Sequence, residues 1–269
     1  MRTPPPTIQL ENPSAWVHRQ TLPRRAGFLS QVLSHAEFLL LGSRLTLRSF
    51  LPQPRTPQSE RLVLHQGCQT YLEHLRQRGI IEWKFTGFDD SPSWRGRLIA
   101  PNHPSLLDAL LLTARLPGLD CVINSRLLRA PAMCGAARLC DFIRNDSPVS
   151  MIRQTRQRLQ LGDNVLFFPE GTRTANNRVI NPFHDGYALA AIRAGAPIQT
   201  VLIECDSNYF GHDFHFFRPA PCPIRFHLIA GEVFPPHPSD NPRTLSRRIE
   251  SYFQSSLRRH GEKISLRTS

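Results

Sequence analysis

A histidine and an aspartate five positions apart form the first pattern in this sequence that could do chemistry. His103 and Asp108 lie in the segment N-H-P-S-L-L-D at 102–108, directly after an apolar run that is typical of a strand. A carboxylate bound to one imidazole nitrogen fixes the tautomer and leaves the other nitrogen free to act as a base. The pattern therefore predicts a general base, with a capping histidine beside an unrelated aspartate as the alternative.

The spacing of this pair constrains the helix that follows. Two positions five apart on a continuous helix differ by about 140° and do not share a face. His103 should therefore lie outside the helix, at the corner between strand and helix, so that its ring folds back toward Asp108. Pro104 suits the first turn of that helix, which we expect over 104–116.

A second segment, F-P-E-G-T-R-T at 168–174, has the residue types of an anion-binding turn. It continues from the strongly apolar N-V-L-F-F, and its proline ends the strand ladder. Gly171 permits a positive φ and a close approach of backbone to ligand, while Arg173 offers a planar fork suited to phosphate. We expect Glu170, Gly171, Thr172 and Arg173 to surround an anion; the alternative is an ordinary polar turn with an internal Glu170–Arg173 pair.

Together, the two segments resemble the glycerolipid acyltransferase family, whose best-known members are the lysophosphatidic acid (1-acylglycerol-3-phosphate) acyltransferases. The resemblance covers roughly residues 80–235. It implies that His103 and Asp108 are the catalytic pair and that the second segment binds a phosphorylated acceptor. The residues implied in acceptor binding are Glu170, Gly171 and Arg173.

Three further stretches depart from the family pattern. The family segment F-I-x-R appears here as F-I-R-N at 142–145, so that Arg144, a candidate acceptor ligand, stands one place early. The stretch A-P-I-Q-T at 196–200 keeps one of the two prolines of V-P-I-x-P. His184 stands where F-K-x-G usually has a basic residue. These departures bear on the acceptor and leave the expected chemistry unchanged.

The resemblance implies transfer of a fatty acyl group from a thioester to a hydroxyl group. The donor would be acyl-carrier protein or acyl-CoA, the acceptor a lysophospholipid or a glycerol-phosphate-like molecule, and no cofactor or metal would be needed. Acylation of a non-glycerol acceptor, such as an amino-acid lipid or a specialised lipid, is an alternative within this class. Thioester hydrolysis and a non-catalytic basic lipid-binding module are the alternatives outside it.

The composition fits an anionic partner. The 269 residues include 33 basic and 21 acidic side chains, giving a net charge of +12, and the 40% of apolar residues suffice for a packed core. An acidic carrier protein, coenzyme A and an anionic membrane surface all suit this charge. Nucleic acid is not expected, because runs that interleave aromatic and basic residues are lacking. The six cysteines form no C-x-x-C pair and H-D-F-H at 212–215 lacks further ligands, so no metal site is expected.

The amino-terminal part of the chain is expected to be an appendage. Residues 1–57 comprise a proline-rich, basic lead and an amphipathic helix over 26–50, which would lie on a membrane surface or dock on the domain. Residues 58–269 would form the acyltransferase domain. No apolar run is long enough to span a bilayer. We expect a peripheral or monotopic protein on the cytoplasmic side of the membrane.

Helical and strand patterns alternate through the domain. They predict the α/β class: a mixed, largely parallel sheet covered by helices on both faces, with an N-terminal helical appendage. The predicted strands are 80–85, 97–103, 120–124, 164–168, 197–205 and 224–234. The predicted helices of the domain are 58–77, 104–116, 147–161, 184–194 and 243–259, with irregular helix up to about 140.

Overall fold

The computed structural model describes residues 24–51, 55–129, 131–207, 211 and 222–268. The helices of these residues are α1 Arg24–Phe50, α2 Pro57–Gln77, α3 Asp108–Arg115, α4 Pro131–Leu139, α5 Pro148–Gln160, α6 Gly186–Ala194 and α7 Pro242–Thr268. The strands are β1 Ile81–Thr86, β2 Leu98–Pro101, β3 Asp120–Ile123, β4 Ile143–Arg144, β5 Val165–Leu166, β6 Ile198–Cys205 and β7 Ile224–Phe234.

These strands form one sheet in the order β1-β7-β6-β2-β5-β3-β4. All neighbours run parallel except β6 and β7. The carboxyl ends of β6, β2, β5, β3 and β4 consequently meet at one edge of the sheet, which we call the carboxyl edge; the opposite one is the amino edge. Sites of α/β folds collect at the carboxyl edge. The predicted mixed, largely parallel sheet is confirmed.

Helices cover both faces of the sheet because its central strands are apolar on both sides. In β2, Ile99 belongs to the core that includes α2 and α3, while Leu98 belongs to the core that includes α6 and α7. Leu166 and Val165 of β5 divide between the two cores in the same way. The sheet therefore holds the chain corners at its carboxyl edge on a rigid support.

The amino-terminal helix α1 packs against α4. The two helices are in close contact at Gly135, where a Cβ atom would lie 2.2 Å from the backbone nitrogen of Thr46. Only glycine fits there. Helix α1 also exposes Leu33, Leu40 and Leu47, which recur every seven residues and so share one helix face. Among the described residues, no helix is long and apolar enough to cross a membrane.

Helix α1 runs antiparallel to α2 and connects the two edges of the sheet. Near its carboxyl end, Arg48 donates two hydrogen bonds to Glu60 in the first turn of α2, at 2.9 and 3.0 Å. Earlier in α1, Glu37 accepts hydrogen bonds from His74 and Arg78 at the end of α2. Arg78 closely precedes β1, which is separated from β6 by β7 and begins at the level of the carboxyl end of β6. The amino-terminal half of α1 therefore lies at the carboxyl edge.

A buried ionic network lies at the amino edge. Arg61 of α2 is 1% exposed and donates through all three guanidinium nitrogens. Its Nε binds the carbonyl of Cys140 at 3.2 Å, Nη1 binds Asp163 at 3.0 Å, and Nη2 binds Asp120 at 2.7 Å. Arg158 brings a second cation to 3.3 Å from Asp120. We call these residues the amino-edge network.

Some element boundaries differ from those predicted. Helix α3 begins at Asp108 rather than at 104, because hydrogen bonds between side chains and backbone hold residues 105–107 in turns. Strand β5 is shorter than predicted, and α7 extends past 259. Of the predicted lead at 1–25, residues 1–23 lie outside the described residues, as do the histidines of 212–215. Residues 24 and 25 belong to α1. The domain boundary at 57 stays a prediction.

Candidate active site

The candidate site begins where β2 leaves the sheet. The Asn102 side chain donates to the carbonyl of Ile203 at 2.8 Å and accepts the backbone N–H of Ile203 at 2.7 Å. Pro101 is the last residue of β2. After it, the side-chain amide of Asn102 makes the hydrogen bonds to β6 that the backbone of a longer strand would make. Because the side chain makes these bonds, the backbone is free to turn away, and His103 stands at the corner.

His103 and Asp108 are in direct contact. The Nδ1 atom of His103 lies 3.0 Å from Oδ2 of Asp108, which also accepts the backbone N–H of Ser105 at 2.8 Å. Asp108 is the first residue of α3, where the helix dipole favours a negative charge. With a proton on Nδ1 facing the carboxylate, the lone pair of the ring is on Nε2. The structure confirms the prediction that the His103 ring lies outside the helix and folds back toward Asp108.

The carboxyl group of Asp108 is fully buried. Burial raises its pKa, against the lowering effects of the hydrogen bond from His103 and the nearby positive charge of Arg173. Its Oδ1 atom has no hydrogen-bond partner among the described residues. A carboxylate in this environment gains from having a positively charged imidazole beside it, because the pair is then neutral as a whole.

The imidazole of His103 is held on one face by Phe168. The two ring centroids lie 3.9 Å apart, with an angle of 24° between the ring planes. The contact with Asp108 fixes one ring nitrogen, and this stack fixes the ring plane. The histidine side chain remains 17% exposed, and no described residue forms a hydrogen bond with Nε2. The one atom of the ring that can act as a base is therefore accessible.

The buried side chain of Glu170 connects the two segments by hydrogen bonds. It is 2% exposed and accepts the backbone N–H of His103 at 2.8 Å and that of Asn181 at 2.7 Å. The hydroxyl of Thr174 contacts both of its carboxylate oxygens, at 2.8 and 2.9 Å, and the Thr174 N–H donates to the carbonyl of His103 at 2.8 Å. Burial raises the pKa of Glu170, and the hydrogen bonds that it accepts oppose this rise.

These contacts change the interpretation of Glu170. We expected it to touch the bound anion, but its oxygens face donors of the protein itself, and a carboxylate repels phosphate. The expected alternative, an internal pair between Glu170 and Arg173, is not among the ion pairs of the described residues either. The position of Glu170 fits a residue that holds His103 in place.

The other residues expected to bind the acceptor lie around the rim of the site. Gly171 has φ 67°, and a Cβ atom there would lie 3.1 Å from the ring of His184, so this turn favours glycine. Thr172 is exposed. Arg173 is partly buried, donates to the carbonyl of Gly211 at 2.6 Å, and is near enough to Asp108 to influence its pKa.

Arg144 lies at the same edge, farther from the histidine. It ends β4, which is three strand spacings from β2, or about 14 Å. Its side chain is 57% exposed and lies 3.5 Å from Asp146, also an exposed residue. An extended acceptor could reach both ends of this interval, so the role of Arg144 stays a prediction.

Four residues that build the site were not among the predicted site residues: Asn102, Phe168, Thr174 and Asn181. Asn102 and Phe168 are the first residues of the two segments, and each is the last residue before a corner. A polar residue ending an apolar strand is a signal that was available for Asn102. Asn181 had no such signal, because it meets Glu170 only through the fold of the loop. No group of three metal-ligand side chains occurs in the part of the chain that the structure describes.

The chain is similar to known proteins over a region that includes both segments. Residues 82–204 match the family model described as Acyltransferase. A 1-acyl-sn-glycerol-3-phosphate acyltransferase of Helicobacter pylori is 28% identical over 131 residues, which are 46% of this chain and 54% of that protein. The chain thus spans about half the length of this curated relative. The crystal structure of the 1-acyl-sn-glycerophosphate (LPA) acyltransferase PlsC from Thermotoga maritima matches with a TM-score of 0.68 at 18% identity. The match covers 88% of this chain and 96% of that one, and it shows a shared fold.

Proposed function

We propose that this protein transfers a fatty acyl group from a thioester to a hydroxyl of a lysophospholipid. The match of residues 82–204 to the family model described as Acyltransferase supports the proposal. The observation that carries the proposal is the environment of one histidine. Its Nδ1 atom faces a buried carboxylate, its ring is stacked on Phe168, its backbone N–H is bound by Glu170, and its Nε2 is accessible.

In the proposed reaction, His103 is the general base. Its Nε2 atom takes the proton of the acceptor hydroxyl while the hydroxyl oxygen attacks the thioester carbonyl carbon. Asp108 stabilises the imidazolium, because the carboxylate and the ring then form a neutral pair. The bond from carbon to sulfur breaks, and the departing thiolate takes the proton back from the imidazolium. Proton and acyl transfer use only these side chains and the two substrates.

The acceptor would carry a phosphate group. Arg173 is the principal candidate to bind it, because its guanidinium lies close to the pair of His103 and Asp108, with Gly171 and Thr172 preceding it in an accessible turn. Arg144 would bind a more distant part of the acceptor.

Substitution of Arg173 tests this assignment. Arg173→Ala should raise the KM for lysophosphatidate about tenfold or more, since a hydrogen bond to a charged group contributes about 1.5–3 kcal/mol. The KM for a monoacylglycerol, which lacks the phosphate, should change little. Equal effects on both acceptors would contradict a phosphate contact at Arg173.

The donor would be acyl-CoA or acyl-carrier protein, both of which are anionic. A protein with a net charge of +12 attracts either one at long range. This attraction is screened by salt, so the apparent second-order rate constant with an acidic carrier protein should fall as ionic strength rises.

Helix α1 would bind the enzyme to the cytoplasmic surface of the membrane. The leucines at 33, 40 and 47 are 50%, 58% and 67% exposed and lie along one face of this helix. An exposed apolar row of this kind is stabilised by insertion into the interface between headgroups and acyl chains. Peripheral or monotopic binding would bring the enzyme to a lipid acceptor.

The direct test of the function is mass spectrometry of the products. The purified protein is incubated with one acyl thioester and, in separate reactions, with lysophosphatidate, other lysophospholipids, an amino-acid lipid or no acceptor. The proposal predicts a diacylated phospholipid with lysophosphatidate. Free fatty acid as the main product in every reaction would indicate a hydrolase and contradict the proposal.

A further inference from the structure

Helix α5 has uncompensated positive charge on its exposed face. Its sequence, P-V-S-M-I-R-Q-T-R-Q-R-L-Q, contains three arginines and no acidic residue. Arg158 forms ion pairs with Asp120 and Asp141. Arg153 and Arg156 are exposed, and no carboxylate of the described residues forms an ion pair with either. These two cations can therefore bind an anionic group of another molecule.

The two arginines belong to a straight row along the helix. Four exposed residues form this row, which we call the α5 stripe: Val149, Arg153, Arg156 and Gln160. On an ideal helix their side chains point within about 60° of one another, and the row is about 16 Å long. Val149, at the start of the row, is 79% exposed. The stripe thus combines two charges with one apolar end.

The α5 stripe begins near the candidate active site. Helix α5 follows β4 and precedes β5, which run in the same direction, so the helix runs from the carboxyl edge toward the amino edge. In its first turn, Cε of Met151 lies 3.4 Å from the position that a Cβ atom would have at Gly186, the first residue of α6. The ring of Phe167 lies 3.9 Å from the same position, and the next residue is the Phe168 that stacks on His103. The start of α5 therefore packs against the chain on both sides of the second segment.

The shape of the α5 stripe favours an acidic protein over other anions. Coenzyme A has all its phosphates at the nucleotide end, whereas the stripe is a long row with an apolar residue at one end. A membrane is a plane, but the stripe runs down the flank of the domain, so its members lie at different distances from the carboxyl edge. A protein helix that presents acidic residues and an apolar residue in a row complements the stripe in charge and in length.

We propose that the α5 stripe is the docking surface for an acidic protein that carries the acyl thioester. This assigns the role of donor to acyl-carrier protein rather than to coenzyme A. Docking on the flank leaves the opening beside His103 free for the acceptor, and the prosthetic arm of the carrier extends from the start of α5 to the histidine. The inference rests on the proposed function, because the carrier is a partner only if a thioester is the donor.

Binding of acyl-carrier protein to the full-length enzyme tests the inference independently of turnover. Surface plasmon resonance measures the Kd at low ionic strength, with the prosthetic thiol of the carrier free. Arg153→Gln combined with Arg156→Gln should raise the Kd about tenfold. Circular dichroism and the melting temperature check the folding of each variant.

The matched control removes the same two charges elsewhere. Arg243→Gln combined with Arg247→Gln changes exposed residues in the first turns of α7, which follows β7 at the amino edge. The net charge falls equally in both double variants, so the long-range attraction of the carrier is weakened equally. The control should raise the Kd by about twofold or less.

Steady-state kinetics with two donors form the second arm of the experiment. The double variant of Arg153 and Arg156 should lower kcat/KM about tenfold with acyl-carrier protein and leave it unchanged with acyl-CoA. Val149→Ser should lower kcat/KM about threefold with the carrier protein alone, since it removes an exposed apolar contact.

Four results would overturn the inference. They are a wild type that binds no carrier protein, equal losses in the stripe and control variants, equal losses with both donors, and a loss confined to partition onto phosphatidylglycerol vesicles. The third result would indicate a contact with the prosthetic group that the donors share, and the fourth a contact with the membrane. If the carrier binds at the stripe but no lysophospholipid is acylated, the proposed function fails and the docking surface stands.

Discussion

Two buried ionic clusters lie at opposite edges of the same sheet, and they differ in how completely their hydrogen-bonding atoms are used. In the amino-edge network, the buried Arg61 donates from every guanidinium nitrogen to oxygens of three residues. At the carboxyl edge, Oδ1 of Asp108 is buried without a partner, and Nε2 of His103 is accessible and unbonded among the described residues. Both clusters lie at ends of parallel strands of this sheet: Asp120 begins β3, and His103 comes after the end of β2.

The difference separates a structural role from a chemical one. A saturated network has no atom left for a substrate, and breaking it exposes an uncompensated charge. An unsaturated cluster costs stability, because a buried polar atom without a partner is unfavourable, but its spare lone pairs can accept a proton. We therefore expect substitutions at the amino edge to act on stability and substitutions at the carboxyl edge to act on turnover.

The largest effect on stability should come from Arg61. Arg61→Met removes the cation that neutralises Asp120 and should lower the free energy of unfolding by about 3–5 kcal/mol, as measured by urea denaturation. Turnover per folded molecule should stay near that of the wild type. Arg76→Met is the control, because Arg76 pairs with Glu73 on the surface and should contribute about 1 kcal/mol or less. A stable Arg61 variant that has lost turnover would contradict a purely structural role of the amino-edge network.

Glu170 should show an intermediate effect on both properties. In Glu170→Gln, a single amide oxygen replaces two carboxylate oxygens, so the N–H of His103 or of Asn181 loses its acceptor. This should cost about 1–3 kcal/mol of stability. Because Glu170 acts through His103, kcat should fall while the KM for the acceptor changes little.

Glu250→Gln is the control for this substitution. Glu250 also accepts a backbone N–H, from Phe183 at 3.1 Å, but it is less buried and does not contact the histidine. It should leave kcat unchanged. A Glu170 variant in which only the KM rises would restore the original expectation that this residue binds the acceptor.

Asp108 should show the smallest effect on stability, with the opposite sign. Burial raises the pKa of this carboxyl group, so the folded state holds the proton more tightly than the unfolded state does. Stability from this source is present at low pH and is lost as the pH rises from the ordinary value of about 3.9 to the raised pKa. The side chain of Asp108→Asn does not ionise, so the variant keeps this stability as the pH rises. It should be more stable than the wild type at neutral pH by about 1 kcal/mol, with reduced turnover.

Measurements at several pH values sharpen this prediction. The stability difference between Asp108→Asn and the wild type should grow as the pH rises through that window and stay constant above it. A variant that is less stable than the wild type throughout would mean that the carboxylate is held by favourable contacts, as in the amino-edge network.

The sequence predicted the sheet class and most elements because the signals are local. Apolar runs such as N-V-L-F-F and the prolines and glycines around them mark strands and corners without knowledge of the fold. The contact between His103 and Asp108 could also be anticipated, since a spacing of five is compatible with contact only if the histidine precedes the helix.

Long-range pairing explains what could not be predicted. The role of Glu170 depends on the N–H groups of His103 and Asn181, which are 67 and 11 residues away in the chain. The stack of Phe168 on His103 depends on β5 lying beside β2, and no local pattern specifies that neighbour. Strand order is decided by packing of the whole chain, so a residue that acts across two strands is visible only in the fold.

The proposed mechanism depends most on His103 as the base, and turnover of the His103→Ala variant is its decisive test. Transfer of an acyl group from its thioester to lysophosphatidate is measured on the same samples as circular dichroism and the melting temperature. We predict that turnover falls by about 10²–10⁴-fold with the fold intact, since general-base assistance is worth that much. A folded variant that keeps wild-type turnover would rule out His103 as the general base.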